Sequence, residues 1–175
     1  MQGRAYVLPQ IKKVNFIMTL EEQLVEILIK KGWHIAFAES CTGGLCSATL
    51  VNVPNASKVL DVSFVTYANE AKVNCLSVKP ETIAAYGVVS EYVAREMALG
   101  VAKSAGSEVG VGVTGIAGPG GATAAKPVGM VCFGFSINGK VKTFTQQFGE
   151  IGRQQVRNAS VEFVYQTLIN LLNNA

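Results

Sequence analysis

The segment Ala38-Glu39-Ser40-Cys41-Thr42-Gly43-Gly44 ends an apolar run with a polar cluster and passes through two glycines into a helix-forming stretch. Such a strand-to-helix turn offers backbone N–H groups and the positive end of a helix dipole to an anion, and it exposes one hydroxyl. Ser40 is therefore a candidate nucleophile, and Thr42, Gly43 and Gly44 are candidate contacts to a bound anion. The plainer reading is that Ser40 or Thr42 caps the helix, as such residues commonly do.

A serine nucleophile needs a base. His34 is the only histidine, and it precedes Ser40 by six residues in a strand-like run, so at about 3.3 Å per residue the two lie roughly 20 Å apart. The chain has no G-x-S-x-G elbow and no S-x-x-K motif. Lysine remains, as in the Ser-Lys variants of the catalytic triad. Lys72 is the best candidate, because it lies in the polar turn Tyr67-Ala68-Asn69-Glu70-Ala71-Lys72 after a strand-like run. A free lysine titrates near 10.4, so a base at neutral pH needs about three units of lowering, roughly 4 kcal/mol, of the kind that partial burial against a sheet can supply. Taken alone, Lys72 reads more plainly as a solvated surface lysine.

A second glycine-rich element is Thr114-Gly115-Ile116-Ala117-Gly118-Pro119-Gly120-Gly121, followed by Lys126-Pro127-Val128-Gly129. This density of glycine lets backbone approach a ligand and donate N–H groups to a phosphate or oxyanion, which makes Thr114, Gly115, Ala117 and Gly118 candidate substrate contacts. Arg153, at the start of the last predicted helix, is unfavourable by dipole unless it faces a bound anion; the alternative is a solvated arginine. Gly110, Gly112 and Gly115 satisfy G-x-G-x-x-G, but more glycine and proline follow where a dinucleotide fold needs a helix. No P-loop spacing is present.

The elements that must position these residues follow from local signals. A capping box at Thr19 to Glu22 starts a helix that Gly32 stops, and His34–Ala38 reads as a buried strand. A helix runs from the glycine pair to about Leu50, Val59–Tyr67 reads as a strand, and Asn69 as the cap of a helical turn carrying Lys72. Pro80 and Gly87 bound a short helix, and Ser90 caps a longer one whose apolar face is Val93, Ala94, Met97, Ala98, Val101 and Ala102. Glu108–Thr114 is strand-like. Val128–Ile137 and Lys140–Phe148 form a hairpin at Asn138-Gly139, and a helix from Arg153 to about Leu172 closes the chain. Interleaved helices and strands with one late hairpin predict a three-layer α/β/α fold on a mixed, mostly parallel sheet. Ligands gather at the carboxyl ends of strands in such sheets, where Ser40 and Thr114 fall.

Composition narrows the function classes. The chain has 175 residues, 49% apolar and 15% charged, which suits one globular domain over residues 19–175. Residues 1–18 read as a leader or an arm outside the core, with Met18 a possible start. A net charge of +3 without a long basic run predicts no nucleic-acid partner, and no apolar run of spanning length predicts no membrane partner. Four cysteines without C-x-x-C spacing or histidine partners predict no metal site and reduced thiols in a cytoplasmic protein.

AESCTGG at 38–44, FVTYANEAK at 64–72, GVVSE at 87–91, GIAGPGG at 115–121, KPVG at 126–129 and the arginine-bearing 153–157 segment, in this order, closely resemble the C-terminal domain family of the competence-associated protein CinA. That family includes stand-alone nicotinamide mononucleotide deamidases. The resemblance implies the CinA C-terminal fold and a homodimer. It also implies hydrolysis of the nicotinamide carboxamide to nicotinic acid mononucleotide and ammonia, without metal or cofactor. It places a Ser-Lys pair on Ser40 and Lys72, sets Tyr67 to orient or relay a proton, and leaves the glycine-rich loop and Arg153 to hold the ribose phosphate and stabilise the oxyanion, with backbone N–H groups near Thr42 and Gly115 expected to bind the developing negative oxygen. The N-terminal molybdopterin-binding-like domain of larger CinA proteins is not expected within the 18 leading residues. Two other readings stay open, a non-catalytic nucleotide-binding or competence and damage-response interaction module, and an amidase for another small amide.

Overall fold

Thr19 closes a reciprocal cap on α1 (Leu20–Lys31): the Glu22 amide donates to its hydroxyl, and its own amide donates to the Glu22 carboxylate. Gly32, at φ 64°, ends the helix in left-handed backbone. β1 (Ile35–Glu39) is buried at all five positions, as a strand covered on both faces must be. Next come α2 (Leu45–Leu50), a 3-10 turn (Ala56–Lys58), β2 (Phe64–Val65), α3 (Asn69–Leu76), α4 (Pro80–Tyr86) and α5 (Glu91–Ala105). β3 (Val109–Gly115), β4 (Met130–Ile137), β5 (Lys140–Gln147) and α6 (Arg153–Asn173) complete the chain. The β4–β5 hairpin turns on Asn138 and Gly139, both at positive φ (49° and 78°), as a two-residue loop demands. This computed structural model describes residues 18–174, so the expected leader or arm lies, apart from Met18, outside the described residues.

Two local expectations are corrected. The strand expected over Val59–Tyr67 contracts to Phe64–Val65, with one further bridge from Leu60 to Ile35. Side chains replace the ladder between them: the Ser63 hydroxyl accepts from the Phe37 amide at 3.1 Å, and Asp61 turns out to pair with His34 Nδ1 at 2.6 Å. Ala68, not Asn69, occupies the N-cap of α3, and no side chain caps that helix.

The sheet runs in the order β2-β1-β3-β4-β5. β1 pairs in parallel with β2 and β3, and β4 lies antiparallel between β3 and β5, so β4 alone runs against the other four. Alternation along β1 sends Ile35 and Phe37 into one core with Leu24, Leu28 and Leu168 of α1 and α6, and Ala36 and Ala38 into the other with Leu76, Val93 and Met97 of α3 and α5. The result is the three-layer α/β/α fold. On β3 the valines fill the first core, whereas Gly110 and Gly112 lie beneath α5, where a Cβ at Gly112 would sit 2.3 Å from the Ala94 carbonyl oxygen. The glycine spacing that imitates a dinucleotide motif is thus a helix-to-sheet contact.

Candidate active site

Ser40 stands at the carboxyl end of β1, its amide donating to the Val113 carbonyl at 3.0 Å. β2 runs beside β1 in register, and the Thr66 amide donates to the Glu39 carbonyl at 2.9 Å, which brings the β2–α3 turn alongside Ser40. From the first turn of α3 the Lys72 side chain points back under this turn and is only 1% exposed. Its Nζ lies 2.7 Å from the Thr66 carbonyl, 3.3 Å from the Tyr67 carbonyl and 3.2 Å from Ser40 Oγ. A carbonyl can only accept, so two N–H bonds of the amine are fixed by the backbone. The remaining tetrahedral position faces the serine hydroxyl, where an unprotonated amine places its lone pair.

Burial lowers the Lys72 pKa from its ordinary value. A thiolate at Cys41 opposes that shift, yet burial pushes the Cys41 thiol up to about 12, so it is neutral near pH 7. Among the described residues, no carboxylate lies within ion-pair distance of Lys72 to hold its proton. The same burial removes Cys41 as a rival nucleophile, because thiols react as thiolates. His34, tied to Asp61, takes no part.

The mouth of the site is built from α6 and the glycine-rich loop. Arg153 donates through Nη1 to the Gly118 carbonyl at 2.9 Å and through Nη2 to the Tyr67 hydroxyl at 3.0 Å, while Tyr67 is 62% exposed. One turn on, Arg157 donates to the Thr42 carbonyl at 2.8 Å. The first turns of α6 therefore tie down both glycine-bearing turns. Gly118, at φ 79°, has Val128 Cγ1 2.6 Å from where a Cβ would be, so a side chain has no room there.

Behind Ser40, on the opposite face of β1, the Glu39 carboxylate is 0% exposed. One oxygen accepts from the Gly44 and Cys46 amides at 3.0 Å each, and the other from the Ser47 amide and hydroxyl at 2.9 Å each. The Gly44 amide is thereby taken by the chain's own carboxylate and is not open to an external anion. Gly44 occupies the N-cap without a side-chain cap from Ser40 or Thr42, and the anion is the chain's own.

The family model of the CinA C-terminal domain matches residues 17–172. The chain belongs to the CinA C-terminal domain family. It is 50% identical over 156 residues to a Clostridium acetobutylicum protein named as competence-damage inducible, covering 87% of this chain and 38% of that protein. It is 47% identical over 158 residues to a CinA-like protein of Kosmotoga olearia, covering 88% of this chain and 38% of that one. The chain thus spans well under half the length of these relatives. The crystal structure of the competence/damage inducible protein CihA from Agrobacterium tumefaciens is 39% identical, with a TM-score of 0.82 and coverage of 91% of this chain and 99% of that one. A CinA superfamily protein from Klebsiella pneumoniae is 33% identical at TM-score 0.86, covering 89% and 97%.

In this CinA domain, Ser40, Lys72, Tyr67, Arg153 and Gly118 form one connected constellation. Thr42 and Gly43 lie under Arg157, and the Gly44 amide belongs to Glu39. The buried Thr114 hydroxyl donates to the Val88 carbonyl at 3.0 Å, Gly115 pairs with Val131 in the sheet, and Ala117 is buried beside Gly118. Two other motifs make structural ties: Lys126 Nζ donates to the Tyr86 carbonyl at 2.6 Å, and Glu91 of α5 accepts from the Thr143 and Thr145 hydroxyls of β5 at 2.6 and 2.7 Å. Sequence reasoning missed Glu39 and the grip of Arg157. A carboxylate ending an all-apolar strand a few residues before a helix was the available signal for Glu39. Among the described residues, no three His, Cys, Asp or Glu side chains cluster to hold a metal, and no helix is long and apolar enough to cross a membrane.

Proposed function

We propose that this CinA domain hydrolyses the carboxamide of nicotinamide mononucleotide to nicotinic acid mononucleotide and ammonia, with Ser40 as nucleophile and Lys72 as base. The observation that carries the reading is the buried Lys72 amine at 3.2 Å from Ser40 Oγ, held by two carbonyls and no carboxylate.

The Lys72 lone pair takes the Ser40 proton as Oγ attacks the amide carbon. The tetrahedral oxyanion takes hydrogen bonds from the turn after Ser40, near Thr42. Near Gly115 the Ile116 amide is already given to the Met130 carbonyl at 2.8 Å, so the Thr42 side carries the load. The new Lys72 ammonium returns its proton to the departing nitrogen, which leaves as ammonia, and an ester remains on Ser40. Water then gives a proton to Lys72 and attacks the ester. The acid leaves, and the proton returns to Ser40. Arg153 uses two donors within the chain out of the five a guanidinium offers, and it is exposed, which suits it to the phosphate.

The test is ammonia release from nicotinamide mononucleotide, nicotinamide and unrelated small amides, by the chain and by Ser40→Ala. Release from the mononucleotide that vanishes in a folded Ser40→Ala protein is the expected result. Release confined to another amide makes the chain a different amidase. No release from any amide leaves the binding or interaction module.

A further inference from the structure

We propose that Glu39 is a positioning residue for Ser40: its buried carboxylate is the internal anion that shapes the nucleophile turn and thereby aims Oγ at the Lys72 amine. The inference rests on the reading of Ser40 as a nucleophile, though not on the choice of amide. Glu39 and Ser40 are adjacent in an extended segment, so their side chains leave opposite faces of the sheet. Glu39 consequently does not touch the reacting groups, and it reaches Ser40 only through backbone.

The carboxylate takes four donors, two on each oxygen, from Gly44, Cys46 and Ser47. It closes the 39–47 segment into a ring whose interior is the Ser40 turn. Within that ring the Gly43 amide donates to the Ser40 carbonyl at 3.1 Å and the Leu45 amide to the Thr42 carbonyl at 3.2 Å. Without the carboxylate, the buried Cys46 amide and the half-buried Gly44 and Ser47 amides lose their acceptor and the turn must rearrange to find others. A solvated acidic residue at a strand end does none of this.

Glutamine is the sharp substitution. Its amide presents one acceptor and one donor group to a site made of donors. Its NH2 can be tolerated only at the Ser47 end, where the hydroxyl can rotate to accept while the Ser47 amide goes unpaired. Reorienting a nucleophile by an ångström costs about 100-fold in rate. Glu39→Gln should therefore lower kcat for ammonia release about 100-fold, with KM changed less than about threefold, because Arg153 and the glycine-rich loop are untouched. Glu39→Gly opens a hole lined by three amides, and added formate should recover at least tenfold of the lost kcat, whereas formate should leave wild type and Lys72→Met unchanged.

Circular dichroism and thermal unfolding of each variant accompany the kinetics. A folded Glu39→Gln protein with wild-type kcat overturns the proposal. Loss of kcat without formate recovery in folded Glu39→Gly marks Glu39 as merely structural and also overturns it. If the wild-type chain releases ammonia from no amide tried, the deamidase reading fails separately, and the readout becomes the rate at which a fluorophosphonate labels Ser40, found by mass spectrometry. The same drop and formate recovery support the proposal there. A wild-type Ser40 that does not label overturns it.

Discussion

Lys72→Met tests the dyad through proton linkage, independently of any substrate. Methionine keeps an unbranched apolar stem and deletes the amine. The Thr66 carbonyl, whose bond to Nζ is buried, then loses its donor at about 1–3 kcal/mol. The burial that lowers the Lys72 pKa is relieved at the same time, so the two effects offset near neutral pH. Their pH dependences differ. Unfolded Lys72 titrates at about 10.4, and folded Lys72 below that, so between the two values the unfolded chain carries one more proton. Unfolding free energy must rise with pH through this window, by about 1.4 kcal/mol per pH unit, and Lys72 must contribute no slope below it. Urea unfolding of both proteins between neutral and strongly basic pH, with the two curves subtracted, isolates the residue because every other titrating group cancels. The wild type should gain on Lys72→Met as pH rises, and kcat/KM of the wild type should climb as pH passes the lowered folded pKa at the foot of this window and level off within it. Activity of the variant should fall about 10²- to 10⁴-fold. Curves that stay parallel throughout refute a buried, readily deprotonated amine, and the serine then has no base.

Arg153→Met should raise KM for nicotinamide mononucleotide about 10- to 100-fold and leave hydrolysis of an unphosphorylated amide little changed, while Arg153→Lys should recover only part, since it keeps the charge and loses the fork. Gly112→Ala should destabilise the fold by about 1–3 kcal/mol in denaturant unfolding, because the added methyl meets helix backbone at 2.3 Å rather than a mobile side chain. Iodoacetamide at mildly basic pH should modify exposed Cys75 in the native protein and spare Cys41, whose thiol sits at about 12, together with Cys46 and Cys132, both pushed up by burial.

The element boundaries were legible wherever one residue type has one local use: Thr19, Gly32, Pro80, Gly87, Ser90 and the Asn138-Gly139 turn each stand where their chemistry predicts. The β2 region misled because β-branched content reports a surface suited to a sheet, whereas the ladder there is broken by Ser63 and Asp61, whose partners lie on β1 and at His34. Ser40 and Lys72 were readable as residue types, and the path between them was not. Only the parallel pairing of β1 with β2 sets their separation, and only packing makes the amine buried. Glu39 escaped for the complementary reason. A polar residue at the end of an apolar strand looks like the place where the chain meets water, and its four donors, carried by three residues, follow it in sequence at spacings that match no familiar cap.

Tyr67 is held at both ends, by Arg153 at its phenol oxygen and by Lys72 at its carbonyl. One residue is therefore both doorpost and floorboard. Its phenol oxygen stands at the exposed mouth while its carbonyl lies against the buried amine. The distance between the exposed arginine and the buried amine in this fold is one amino acid.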